Sequence, residues 1–281
     1  MKKRTRFLSF IFAITMFSSI AALHGCNADS KQTFSAENSV SEEIDSPDDE
    51  TGSSSESSAE PETPPQPIIK YTSYFRCTGE NVNIRSGAGT NFSTLGQAEK
   101  GTMYVLIEKI GNWYKTYYLG KIAYISASKS YTALIDFDLS DEKTESVILC
   151  ATKLLGTKYV YGAQRLHFGT GKINPSFTTS AFDCSSLVQY AYYYGAGINL
   201  GVTTRTQVLQ GKTVERKALQ RGDLMFFTNA KRKHLSGVER VGHVAIYLGN
   251  NYILHTASDF AVIEEISAIR WSYFITAKRH I

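Results

Sequence analysis

Cysteine is scarce in this chain, with four in 281 residues, at positions 26, 77, 150 and 184. That is too sparse for a small disulfide-stapled scaffold, although a bond between Cys77 and Cys150 stays open. No C-x-x-C and no H-x-x-x-H spacing occurs, so the usual ligand pairs of zinc sites are missing, and no metal or other cofactor is expected. The apolar stretch at 7–23 stops at 17 residues, short of the roughly 20 that a membrane-spanning helix needs. No nucleic-acid-binding motif accompanies the formal charge of +4, which removes nucleic acid from the expected partners. What the chain does have is apolar content: 42% of its residues are hydrophobic, enough for real cores in about two domains.

The first 26 residues stand apart. "MKKRTR" is a basic opening, "FLSFIFAITMFSSIAAL" suits the apolar core of a secretory signal, and Leu23-His24-Gly25-Cys26 closes it. That ending resembles a bacterial lipobox, in which the cysteine is acylated and becomes the new N-terminus; His24 stands where the pattern usually has a small residue. The resemblance implies a lipoprotein signal peptide at 1–26 with Cys26 as the lipidation site. The protein would then be exported and lipid-anchored to the cell membrane, facing the cell wall. An uncleaved signal anchor is the alternative, and it too exports the rest. Residues 27–69 read as a disordered, acidic, Ser/Pro-rich linker. They hold eleven acids against Lys31 alone, a net of −10, while residues 1–26 carry +4. With a total of +4, residues 70–281 are left with +10. A basic body on an acidic stalk is drawn toward an anionic envelope polymer.

From 70 to 131 the pattern changes to short strands with turn residues between them. "NVNIRS" alternates, "GAGTNFSTLG" is loop, "TMYVLIEKI" follows, and "WYKTYY" and "KIAYIS" flank Leu119-Gly120. Five short strands over this length suit a small, partly closed barrel. The segments resemble a bacterial SH3-like domain, with its N-x-R-S-G and G-x-W-Y-K steps in order. Such domains bind cell-wall peptides or position a catalytic neighbour. A spacer barrel with no ligand of its own fits the same residues.

Beyond 139 the periodicity turns helical. "LSDEKTESVILCATKLLGTKY" (139–159) reads as an amphipathic helix capped by Ser140, with Val147, Ala151, Leu154 and Leu155 on one face and Gly156 closing it. "AFDCSSLVQYAYYYGAG" (181–197) reads as a second, with Asp183 in the capping position and Cys184 just inside. The dipole and free N–H groups of a helix start stabilise a thiolate, which is expected to lower the pKa of Cys184. Downstream, "GHVAIYLG" (242–249) and "YILHTAS" (252–258) read as strands joined by a tight Gly-Asn-Asn turn. His243 and His255 share a face if that turn centres on Gly249 or Asn250, and lie on opposite faces at half-register. An imidazole facing Cys184, itself held by a second polar group, makes a nucleophile, a base and an orienting group. A Cys-His-His zinc set is the competing use of the same three residues. His167 and His234 read as surface residues. Lys231, Arg232, Lys233 and Arg240 read as a solvated loop that would otherwise line a cleft.

"YVYG", "FDCSSLVQYAY", "TTRTQ", "LQRGDLMFF" and "GHVAIYLGNNYILHTAS" run in the order found in the NlpC family of cell-wall cysteine peptidases, and the segment 139–281 resembles that family. The resemblance implies an α+β chain in which a papain-like NlpC catalytic domain, helices packed on an antiparallel sheet, follows the small SH3-like β-barrel. By it Cys184 is the nucleophile, His243 the base and His255 the third, orienting residue. Tyr159, Asp183 and Ser185 become substrate-binding or site-shaping. Ser186 stands where the family usually has glycine, and Tyr161 where it has tryptophan or phenylalanine; neither change removes a reacting group. The implied activity is that of a peptidoglycan hydrolase, a cysteine endopeptidase cutting stem peptides. In many members the scissile bond joins the γ-carboxyl of D-glutamate to a diamino acid. Its partners would be stem peptides and, through Cys26, the membrane, with the protein a monomer. The alternative is a catalytically inactive wall-binding surface lipoprotein.

Overall fold

The computed structural model describes residues 71–257 and 259–281; the signal segment, Cys26 and the acidic linker lie outside the described residues. Among these, eight strands come first: β1 (Tyr71–Cys77), β2 (Val82–Arg85), β3 (Thr94–Ala98), β4 (Met103–Val105), β5 (Glu108–Ile110), β6 (Trp113–Tyr118), β7 (Lys121–Ser126) and β8 (Thr132–Asp138). They form two sheets, ordered β3-β2-β7-β6-β5 and β4-β1-β8. The period-two burial of β6 shows why: Tyr114, Thr116 and Tyr118 turn inward, while Trp113, Lys115 and Tyr117 stay half-buried. The barrel reading ended at 131, but β8 continues the module by pairing with the whole of β1, from Tyr71↔Asp138 to Cys77↔Thr132. Cys77 and Cys150 are both buried and are not joined by a disulfide.

The second half alternates helix and strand: α1 (Glu142–Thr152), β9 (Lys158–Tyr159), β10 (Ala181–Phe182), α2 (Cys184–Ala196), α3 (Thr204–Gln207), β11 (Lys212–Val214), β12 (Leu224–Phe227), β13 (His243–Gly249), β14 (Tyr252–Ala257), β15 (Phe260–Glu265), α4 (Ala268–Ser272) and β16 (Phe274–Arg279). One sheet of order β10-β9-β15-β14-β13-β12-β16-β11 runs through it, antiparallel except where β9 meets β10. Strand β12 is buried on both faces. Leu224 and Phe226 join the core under α1 and α2, whereas Met225 and Phe227 join a smaller cluster on the other face with Ala245, Ile253 and Ala277, against which Trp271 packs. The sheet is therefore covered on both sides, which is why β12 reads as an unbroken apolar run. None of the described helices is long and apolar enough to cross a membrane.

Helix α1 begins one residue later than its sequence suggests. Asp141, not Ser140, is the cap, its carboxylate accepting the N–H groups of Lys143 and Thr144 at 3.0 and 3.1 Å. The helix also stops at Thr152, ahead of Gly156. Gly156 has φ +81°, and a side chain there would run into the ring of Tyr118, so glycine is required where the two domains touch. Two backbone bonds of 2.8 Å hold that contact, Leu119 N–H to Leu155 O and Gly120 N–H to Lys153 O.

A second tie is electrostatic. The Arg221 guanidinium donates to both carboxylate oxygens of Glu145 in α1 at 2.7 and 2.9 Å, to Leu248 O in β13 at 2.8 Å and to the Tyr74 hydroxyl in β1 at 3.1 Å. Replacing one partner of such a buried pair strands the other. Arg221→Met is expected to cost about 3 kcal/mol, and Glu145→Gln, which keeps an acceptor for the guanidinium, clearly less. Urea unfolding midpoints at constant slope check the ranking.

Candidate active site

The site is built outward from the start of α2. Asp183 has extended backbone, and its carboxylate accepts the Ser186 N–H at 2.8 Å while the Ser186 hydroxyl accepts the Asp183 N–H at 2.9 Å. This reciprocal cap needs a hydroxyl at 186, so the serine found where the family usually has glycine closes a box that glycine leaves open. The same carboxylate takes a two-pronged bond from Arg165 at 2.6 and 2.7 Å, the Ser185 hydroxyl at 2.9 Å and the Gly162 N–H at 3.2 Å. Burial alone would raise the pKa of Asp183, but the Arg165 guanidinium and the other donors hold it below the usual carboxylate value.

Cys184 is the first residue of α2 and is buried. The expected lowering of its pKa does not occur. Burial pushes the thiol up to about 12, and the Asp183 charge adds to the rise, while backbone N–H donation from Val244 and Ser185 acts against them. A helix dipole counts for less than desolvation when the sulfur is covered and an anion caps the helix.

The two histidines come together. Ile246↔Leu254 and Tyr247↔Ile253 centre the hairpin on Asn250, so His243 and His255 are diagonal neighbours on one face. Asn250 and Asn251 make the turn at φ 47° and 67°. His243 Nε2 and His255 Nδ1 lie 2.8 Å apart. Behind them, His255 Nε2 is 3.0 Å from Glu264 Oε1 in β15, and Arg270 Nη2 of α4 donates to that oxygen at 2.9 Å. Burial holds His255 below the ordinary histidine pKa, against the pull of Glu264. The ring is therefore neutral, and its contact with Glu264 is a hydrogen bond rather than an ion pair. His243 sits well below the ordinary value, through burial first and then through His255 and Arg270.

A cleft of about 690 Å³ collects Cys184, His243, Tyr159, Asp183 and Ser185 on its wall, a volume suited to a small ligand or a short peptide. His255 is fully buried behind His243. Tyr161 is exposed at the cleft. Gln207 of α3 braces the floor, its amide donating to Ser185 O and Gly201 O, both at 2.9 Å. Lys231 and Arg232 line the cleft, so that part of the loop is not simply solvated; Lys233, Arg240 and His234 are exposed. His167, expected at the surface, is fully buried. Gln189 of α2 accepts the Leu166 N–H at 3.1 Å and donates to His167 O at 3.2 Å, drawing the loop down over the ring.

Three residues escaped the sequence reading: Arg165, Glu264 and Arg270. Only Glu264 left a signal. In "FAVIEE" the residues Phe260, Val262 and Glu264 share a face, so a carboxylate follows two apolar residues at period two.

The fold is thus a mixed α+β one with an SH3-like β-rich module at its N-terminal side. Residues 156–280 match the model of the NlpC/P60 family, and residues 80–131 match that of the bacterial SH3 domain. The chain carries an NlpC/P60 domain preceded by a bacterial SH3 domain. Peptidoglycan DL-endopeptidase CwlO of Bacillus licheniformis is 36% identical over 115 residues, covering 40% of this chain and 24% of that protein. Peptidoglycan endopeptidase RipB of Mycobacterium tuberculosis is 31% identical over 129 residues, covering 46% and 49%. The murein DD-endopeptidase MepS/murein LD-carboxypeptidase of Escherichia coli is 33% identical over 97 residues, covering 34% and 46%. The chain spans about half, or less, of the length of these curated relatives.

A neutral thiol that shares a cleft with a neutral imidazole has a distinct signature. Alkylation of Cys184 by iodoacetamide should rise about tenfold per pH unit across the neutral range, following the thiolate fraction. A rate that is already flat above about pH 6 would mean a preformed thiolate–imidazolium pair instead. Mass spectrometry of the tryptic peptide carrying Cys184 separates it from the other cysteines.

Proposed function

We propose that this protein is an exported peptidoglycan hydrolase, a cysteine endopeptidase that cuts stem peptides with Cys184 as nucleophile, His243 as base and His255 as the orienting residue. The observation that carries the reading is the His243–His255 pair, hydrogen-bonded at 2.8 Å, with His243 on the same cleft as a thiol at a helix start. Relatives named as peptidoglycan endopeptidases support the substrate class. In the reaction, His243 takes the thiol proton as sulfur adds to the scissile carbonyl carbon. The C–N bond breaks, the amine leaves with that proton, and water hydrolyses the resulting thioester to free the acid and restore the thiol. Because the resting pair is neutral, proton transfer accompanies attack.

The charge of the cleft supports an acidic peptide. Arg165 is neutralised by Asp183, which leaves Arg205, Lys231 and Arg232 facing Glu239 alone among the lining acids. A stem peptide with free carboxylates balances that surplus, in keeping with cleavage between the γ-carboxyl of D-glutamate and a diamino acid. Anchoring through a lipidated Cys26 places the body near its substrate.

One observation favours a second reading, a catalytically inactive wall-binding lipoprotein: the thiol is buried and held protonated. The two readings separate on one experiment. The purified protein should release soluble peptides from peptidoglycan, and Cys184→Ala should reduce release to background while still sedimenting with the wall. Sedimentation without turnover by the parent protein, on any defined muropeptide, establishes the second reading. Anchoring is tested separately. Cys26→Ser should put protein into the medium, or leave unprocessed precursor, at unchanged hydrolytic activity. A Ser variant processed and retained like the parent points to an uncleaved anchor.

A further inference from the structure

Glu264 lies outside the proposed reacting pair, yet it belongs to a polar chain that starts at His243, on the cleft it shares with Cys184, and runs through His255 and Glu264 to Arg270. The direction of every bond in the chain behind His243 follows once Glu264 is fixed as an anion. An ionised carboxylate can only accept, and Arg270, always a cation, donates to the same Oε1 that faces His255. His255 Nε2 must therefore donate. A neutral imidazole carries one N–H, so His255 Nδ1 is bare and must accept from His243 Nε2, 2.8 Å away. With its proton on Nε2, His243 keeps Nδ1 as a lone pair. Were Glu264 absent, nothing would stop the pair from adopting the opposite tautomers, with the proton on His243 Nδ1 and no base left for the thiol.

We propose that Glu264, held by Arg270, is a positioning residue that sets the tautomers of His255 and, through it, of His243, so that His243 enters the reaction with an unprotonated Nδ1. The proposal rests on the reading of Cys184 and His243 as nucleophile and base. The role of Arg270 is equally specific. It occupies the acceptor that would otherwise take a proton, and so keeps Glu264 an anion and His255 neutral. Both positions come from sequence far from the nucleophile, Glu264 in β15 and Arg270 in the short α4.

The side-chain nitrogens decide the matter first. The chain has six histidines, few enough for their ring ¹⁵N shifts to be assigned in the full-length protein by single substitutions. Expected are His255 and His243 both as the neutral Nε2–H form near neutral pH. A His243 carrying its proton on Nδ1, or a protonated His255, overturns the proposal without any assay of turnover. Kinetics supply the second arm. Glu264→Leu should lower kcat by about a hundredfold with KM changed less than about twofold. Glu264→Gln, whose amide oxygen can still accept from both Arg270 and His255, should stay within about tenfold of the parent. Equal losses in the two variants, both folded by thermal melting, refute the positioning role. If the parent hydrolyses nothing yet shows the stated tautomers, the peptidase reading fails and the tautomer assignment stands.

Discussion

The carboxylate of Asp183 is the constraint on which the cleft depends. It receives the first turn of α2 through Ser186, the wall of the cleft through Arg165 and Gly162, and the neighbouring Ser185 hydroxyl. Without it the helix start would fray and the loop between β9 and β10 would lose its inward anchor, so the sulfur would have no fixed address. The same charge works against the thiolate, one residue away. Placement and activation therefore conflict at this position, and the structure resolves the conflict in favour of placement. Under the proposed mechanism, activation falls to His243 on the neighbouring sheet, which would have to accept a proton from a thiol that does not release it to water at neutral pH.

Under the proposed mechanism, that division of labour accounts for the burial of the histidine pair. An imidazole exposed to solvent would be partly protonated near neutrality. Burial keeps both rings neutral, and a neutral ring is the form that can take a proton. The cost of burying two imidazoles is offset by the bonds between them and to Glu264, since a buried nitrogen with no partner is destabilising. Arg270 of α4 donates to the Glu264 carboxylate that His255 faces, and Trp271 of the same helix packs against the smaller cluster on the sheet face opposite α1 and α2.

What could be read from the sequence follows sequence distance closely. The cap of α2, the Asn turn and the shared face of His243 and His255 are local patterns, set within a few residues or by the period of two, and all are present. The pKa of Cys184, the burial of His167 and the partners of Asp183 and His255 depend on tertiary contacts, and the sequence pattern misjudged or missed each of them. Arg165 is 18 residues from Asp183, with an irregular loop between. Strand β8 escaped for a related reason: its role is defined by β1, more than fifty residues earlier, and not by any turn beside it.

The bacterial SH3 domain belongs to the same chain of constraint. Its β6–β7 turn is bonded to the end of α1, and Tyr118 closes on Gly156. Two residues on, β9 begins; β9 pairs with β10, and β10 leads directly into Asp183. A displacement of the module would pass through Gly156 and β9 to the residue that fixes the thiol. Arg221 makes such a displacement costly, because it would have to leave Glu145 or Tyr74 in a buried setting. The module is thus less a tethered accessory than a buttress for the strand that precedes Asp183 and Cys184. Any wall contact it makes would be rigidly registered to the cleft, since the two surfaces share one packed core.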